Sequence, residues 1–135
     1  MPKVSVIIPC YNQGIYVDEA VDSVLRQTFD DYEIIIVNDG STDEITNEKL
    51  KSYCRPRTRV LTTENQGLAE ARNTGIRNSS GVYILPLDAD DVIAETYLEK
   101  AVAILDGNQK VGIVYSRAML FGERSGEWRL PVYSP

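Results

Sequence analysis

The sequence predicts a doubly wound α/β domain, a mostly parallel sheet with helices on both faces, and three observations carry that expectation. Short β-branched runs alternate with longer amphipathic stretches, which is the pattern of βαβ units. The run at 33–37 is apolar enough to be buried on both faces, as a central parallel strand is. A chain of 135 residues, 43% apolar and 25% charged, suits a single domain over residues 1–135 with its own core, and disfavours a disordered or fibrous chain.

The elements follow in order. Residues 4–8 read as the first strand, with Pro9 and Asn12-Gln13-Gly14 supplying the break and turn after it. Val17, Ala20, Val21, Val24 and Leu25 recur at helical spacing, with Asp18, Glu19, Asp22 and Arg26 on the opposite side. Residues 33–37 form the second strand. Ser41-Thr42-Asp43-Glu44 reads as a capping box opening a helix that runs to about Tyr53, with Ser41 as the cap. A weaker third strand at 59–63, a helix over 68–78, a fourth strand at 82–87, a helix over 94–105 and a fifth strand at 111–115 complete the pattern. Residues 119–133 read as an irregular or hairpin segment, and the uncapped ending 128–135 gives the expectation of a domain cut short at its C-terminal end.

Composition excludes several kinds of chemistry. Fourteen Lys+Arg against twenty Asp+Glu leave a net charge of −6, which disfavours nucleic acid as a partner. With no histidine, Ser-His-Asp and Cys-His catalysis and His-containing zinc sites are ruled out. Cys10 and Cys54 fit no metal-ligand spacing and are too few for a disulfide scaffold. The apolar run at 4–8 is too short for a signal peptide, and nothing approaches the roughly 18 apolar residues of a membrane span, so a cytoplasmic protein is expected.

In an open parallel sheet, ligands bind beyond the carboxyl ends of the strands. The fourth strand ends there in Asp88-Ala89-Asp90-Asp91, three carboxylates within four residues. At about 5 Å and an effective dielectric near 20, each like-charged pair costs roughly 3 kcal/mol, which a hard cation such as Mg²⁺ or Mn²⁺ relieves. Capping of the next helix accounts for one of these aspartates and not for three. Asp39 ends the second strand; Gly40 and Ser41 after it are good turn residues, but turn chemistry does not call for an acid there, whereas a nucleobase or ribose offers it hydrogen bonds. Arg72 shares a helical face with Leu68 and Ile76, beside the small Ala71 and Gly75, so it is expected to face inward and to need an anion: Asp39, Asp88 or a ligand phosphate. Tyr11 either stacks on a base or simply packs. Neither G-x-G-x-x-G after the first strand nor a P-loop is present, so dinucleotide dehydrogenases and P-loop hydrolases are disfavoured.

Four stretches, Val4-Ser5-Val6-Ile7-Ile8-Pro9-Cys10-Tyr11-Asn12, Ile35-Ile36-Val37-Asn38-Asp39-Gly40-Ser41-Thr42-Asp43, Asn65-Gln66-Gly67-Leu68-Ala69-Glu70-Ala71-Arg72-Asn73-Thr74-Gly75 and Leu85-Pro86-Leu87-Asp88-Ala89-Asp90-Asp91, together resemble the family-two inverting glycosyltransferases of the GT-A fold. The resemblance implies the donor-binding half of such an enzyme, with a Rossmann-like nucleotide-binding sheet. It implies transfer of a sugar from a nucleotide-diphosphate donor, commonly a UDP-sugar, to an acceptor hydroxyl with inversion. Pro9 and Tyr11 would border the base, Asp39 would accept a hydrogen bond from it, and Arg72 would approach the nucleotide or diphosphate. Asp88 and Asp90 match the family's D-x-D motif, with Asp88 near the ribose and Asp90 on a Mn²⁺ or Mg²⁺ ion. The acceptor is a glycan, a lipid-linked glycan or a protein, with membrane association only through segments absent here. The later acids Glu95, Glu99, Asp106, Glu123 and Glu127 match no general-base motif, so the base is expected beyond Pro135. Three alternatives stand beside this reading. One is nucleotide-sugar binding without turnover. Another is a haloacid-dehalogenase-like phosphatase, whose D-x-D-x-[TV] motif Asp88-Ala89-Asp90-Asp91-Val92 also satisfies but which belongs on a first strand. The third is a receiver domain, which needs acids beside the first strand where Cys10-Tyr11-Asn12 offers none.

Overall fold

A computed structural model describes residues 1–122 and 126–128. Two compact units are present, Met1–Glu99 and Lys100–Pro135. The first carries strands β1 (Val4–Cys10), β2 (Tyr32–Asp39), β3 (Thr58–Thr63) and β4 (Tyr83–Pro86) and helices α1 (Val17–Leu25), α2 (Glu44–Lys51) and α3 (Leu68–Arg77). All strand pairings in this sheet are parallel, in the order β3-β2-β1-β4. The chain winds outward from β1 to β3, then returns through α3 to lay β4 on the other side of β1. This is the doubly wound arrangement expected from the sequence, and its reversal point lies between β1 and β4.

Strand side chains alternate between the two faces of the sheet, and around β1 and β2 both faces are buried. Ile7, Ile35 and Val37 form one buried cluster with Ala71 of α3, and Leu61 packs against it. Val6, Ile8, Ile34 and Ile36, on the other face, are equally inaccessible to solvent. On that side Asn38 Nδ2 donates to Asn47 Oδ1 of α2 at 3.0 Å. Helix α1 joins the same layer through Asp18, whose carboxylate accepts from Lys49 Nζ at 2.7 Å and Tyr53 OH at 2.8 Å. The amino end of the sheet is closed by Glu33, which accepts from Ser5 Oγ at 2.6 Å and Ser80 N at 2.8 Å. Burial opposes the Glu33 charge, yet these hydrogen bonds outweigh it and hold its pKa below the ordinary value.

Several boundaries differ from the sequence reading, each for a physical reason. Pro9 lies inside β1, paired in register with Val37, and does not break it. The carbonyl of Ile7 accepts from Leu87 N at 2.8 Å, so Pro9, two residues on, turns its nitrogen toward a strand that has already left the ladder at Pro86. The cap of α2 is Asp43, which accepts from Thr46 N at 3.1 Å, and not Ser41. On α3, Leu68 and Ile76 are exposed, and the buried residues are Ala71 and Gly75. Helix α4 is Tyr97–Gly107. In the second unit the expected strand at 111–115 is absent; Ile113 is 84% exposed, and β-branched residues favour strands only where a neighbour packs on them. The strands found there are β5 (Ala118–Leu120) and β6 (Gly126–Trp128), paired antiparallel in keeping with the hairpin expectation, whose remaining residues lie outside the described part. Among the described residues, no helix is long and apolar enough to cross a membrane.

A Cβ added at Gly75 would sit 2.3 Å from Ile7 Cγ2 and 3.3 Å from Val37 Cγ2, so glycine sets how closely α3 approaches the sheet. Gly75→Ala gains up to about 1 kcal/mol of helix propensity, while overpacking costs about 1–3 kcal/mol. Thermal unfolding is expected to show net destabilisation, a drop of several degrees in Tm. A raised Tm, as an unpacked helical glycine would give, contradicts this packing.

Candidate functional site

The parallel register brings the carboxyl ends of β1, β2 and β4 to one edge. At the end of β1, Pro9 and the buried Cys10 lead to Tyr11, which is 45% exposed. At the end of β2, Asp39 is only 3% exposed. Its Oδ1 accepts from Gln66 N at 2.9 Å and its Oδ2 from Gly67 N at 3.1 Å, while its backbone carbonyl accepts from Asn65 Nδ2 at 3.0 Å. Backbone amides thus compensate the desolvated carboxylate. Gly40 makes the approach possible: its φ is +63°, and a Cβ there would lie 2.3 Å from Asn65 N.

At the end of β4 the chain folds back at once, with Asp91 N donating to the Asp88 carbonyl at 3.0 Å. Ala89 is fully buried and anchors this turn. Asp88, Asp90 and Asp91 each offer a carboxylate oxygen, and these oxygens lie within 4.8 Å of one another. Partial desolvation, then the charges of Asp90 and Asp88, push the Asp91 pKa up. Arg72 reaches the cluster from α3, its Nη2 donating to Asp88 Oδ1 at 2.8 Å. Asp88 is therefore the partner the sequence left open, and Asp39 is not joined to Arg72. Among the described residues no cation pairs with Asp90 or Asp91, and the buried Arg72 Nε has no hydrogen-bond partner.

The donor set fits a hard divalent cation. It consists of carboxylate oxygens only, clustered, open to solvent on Asp90 and Asp91, and short of positive charge. An orphaned guanidinium N–H beside it is a costly feature that an anionic ligand would relieve. Two contributors were not assigned from the sequence. The amides of Gln66 and Gly67 carry no side-chain signal. The sequence marks Asn12 only as a turn residue, yet its side chain binds the loop after β2, accepting from Thr42 N and Asp43 N at 2.9 Å each.

Comparison with known proteins agrees with this architecture. The uncharacterized glycosyltransferase EpsJ of Bacillus subtilis is 40% identical over 111 residues, covering 81% of this chain and 32% of that protein. Among solved structures, S. aureus TarS in complex with UDP-GlcNAc superposes with a TM-score of 0.70 at 31% identity, covering 79% of this chain and 32% of that one. The mannosyltransferase PcManGT from Pyrobaculum calidifontis, in complex with GDP-Man and Mn²⁺, superposes with a TM-score of 0.66 at 29% identity, covering 77% of this chain and 32% of that one. The chain thus spans about a third of the length of these relatives. The family described as Glycosyl transferase family 2 matches residues 5–133, and with that match across nearly the whole sheet and its acidic edge, the chain belongs to glycosyl transferase family 2.

Proposed function

We propose that residues 1–135 form the donor-binding domain of an inverting, metal-assisted glycosyltransferase that takes a nucleotide-diphosphate sugar, with UDP-sugars first in order. The observation that carries this reading is the acidic cluster Asp88, Asp90 and Asp91 at the end of β4, beside the reversal point of the sheet, with Arg72 bonded to Asp88. An open α/β sheet binds its ligand at such a point. In this reading Pro9 and Tyr11 border the base, and Asp39, held rigid by two backbone amides, accepts from it. Asp88 lies near the ribose and is oriented by Arg72, whose Nε is left for a phosphate oxygen.

Asp90, with Asp91 beside it, would hold Mn²⁺ or Mg²⁺ on the diphosphate. Such an ion neutralises the charge that gathers on the departing diphosphate. In the transfer itself, the acceptor oxygen forms its bond to the anomeric carbon from the face opposite the diphosphate. The bond from that carbon to the diphosphate oxygen breaks with its electron pair, and a base takes the hydroxyl proton. No residue of this chain is assigned as that base. The acceptor is a glycan, a lipid-linked glycan or a protein. The unpaired thiols of Cys10 and Cys54 suit the reducing cytoplasm, where the reading places the domain.

The chain's span of about a third of its relatives favours a second reading, donor binding without turnover by this stretch alone. Family membership leaves the phosphatase alternative without support.

Calorimetric titration with UDP tests the proposal. Wild type is expected to lose at least tenfold in affinity when Mn²⁺ is replaced by chelator, and Asp90→Ala to bind equally weakly with or without the ion. Equal affinity in all four titrations would overturn the metal role. Asp39→Asn, which keeps the size of the side chain, is expected to weaken UDP several-fold even in chelator. Unchanged affinity would leave Asp39 as loop chemistry only.

A further inference from the structure

Asn12 makes an unusual number of contacts for an exposed side chain. Its φ is +56°, a left-handed conformation that asparagine tolerates better than most residues. Its backbone N donates to Ser41 Oγ at 3.1 Å, and its Nδ2 donates to Thr42 Oγ1 at 3.1 Å. Its Oδ1 accepts from both Thr42 N and Asp43 N at 2.9 Å. Two residues later the first loop meets the start of α2, where Gly14 N donates to Thr46 Oγ1 at 2.9 Å and that hydroxyl donates to Asp43 Oδ2 at 2.6 Å. A Cβ at Gly14 would stand 2.7 Å from Thr46 Cα, so the seating leaves no room for a side chain.

These contacts join the segment that follows β1 to the segment that follows β2. Tyr11 directly precedes the Asn12 anchor, and Asp39 stands two residues before Ser41 on the other side. Gln66 N and Gly67 N hold the Asp39 carboxylate, and the Asn12 amide ties the exposed Tyr11 segment to the loop that follows it. Solvent-exposed hydrogen bonds compete with water and add little to stability, so four of them on one residue point to placement as their purpose. The acidic cluster belongs to the end of β4 and takes no part in this latch.

The geometry points to Asn12 as the positioning residue for the nucleoside half of the donor site. It anchors the segment that carries Tyr11 to the loop that follows Asp39, and leaves the diphosphate half untouched. The inference rests on the nucleotide-sugar reading above, and the two halves can be probed separately. UDP reports on both halves, whereas manganese pyrophosphate reports on the acidic cluster and Arg72 alone.

Both probes are titrated into the whole chain and two variants. Asn12→Gly keeps access to the left-handed backbone while deleting the side chain. Thr42→Val removes the Oγ1 acceptor while keeping the shape, and serves should the glycine variant fold poorly. Asn12→Gly is expected to bind UDP at least tenfold more weakly, with manganese pyrophosphate within twofold of wild type, and Thr42→Val to move the same way by a smaller factor. Variants that bind UDP as wild type does, or that lose both probes equally, overturn the positioning role. A wild-type chain that binds pyrophosphate but gains nothing from the uridine overturns the nucleoside reading itself, and is recognised before any variant is made.

Discussion

Parallel strand alignment is the constraint on which the rest of the molecule depends. In a parallel sheet every strand ends at the same edge, so residues far apart in sequence, such as Pro9, Asp39 and Asp88, are carried to one rim. The reversal of winding between β1 and β4 then opens that rim for a ligand. Tight packing maintains the alignment. The sheet is buried on both faces around β1 and β2, and Gly75 lets α3 lie against Ile7 and Val37 where any larger residue would push it away.

The two strand-end acids are treated in opposite ways, and the contrast indicates a division of labour. Asp39 is buried and supplied with two backbone N–H donors, which makes it rigid and electrostatically satisfied. The cluster at the end of β4 has one guanidinium for three carboxylates, and desolvation, followed by repulsion from Asp90 and Asp88, pushes Asp91 upward. A protein of net charge −6 has no general need to gather acids at a rim. An arrangement that is costly without a ligand and relieved by one is what a metal-dependent diphosphate site requires.

Much of this was legible in the sequence because the signals were local. The runs at 4–8 and 33–37 carry a strand pattern in their own residues, and the acids after the fourth strand could be placed at the carboxyl edge from topology alone. What escaped depended on tertiary contact. The helical spacing of Leu68, Arg72 and Ile76 suggested an inward face, but the sheet meets α3 along the neighbouring stripe of Ala71 and Gly75, where small side chains allow a closer approach than leucine could. The β-branched stretch at 111–115 has strand propensity without a described strand to pair with. The preference of Asn12 for a left-handed turn was visible, while its bonds to Thr42 and Asp43 join residues about thirty apart, which no local pattern encodes.

The central claim is that the rim at the end of β4 holds a metal-bridged diphosphate. Anomalous scattering from crystals of the chain grown with Mn²⁺ and a UDP-sugar measures this directly. The account predicts a manganese peak within bonding distance of an Asp90 carboxylate oxygen and of the diphosphate. A peak elsewhere, or a nucleotide bound with that rim empty, would contradict it.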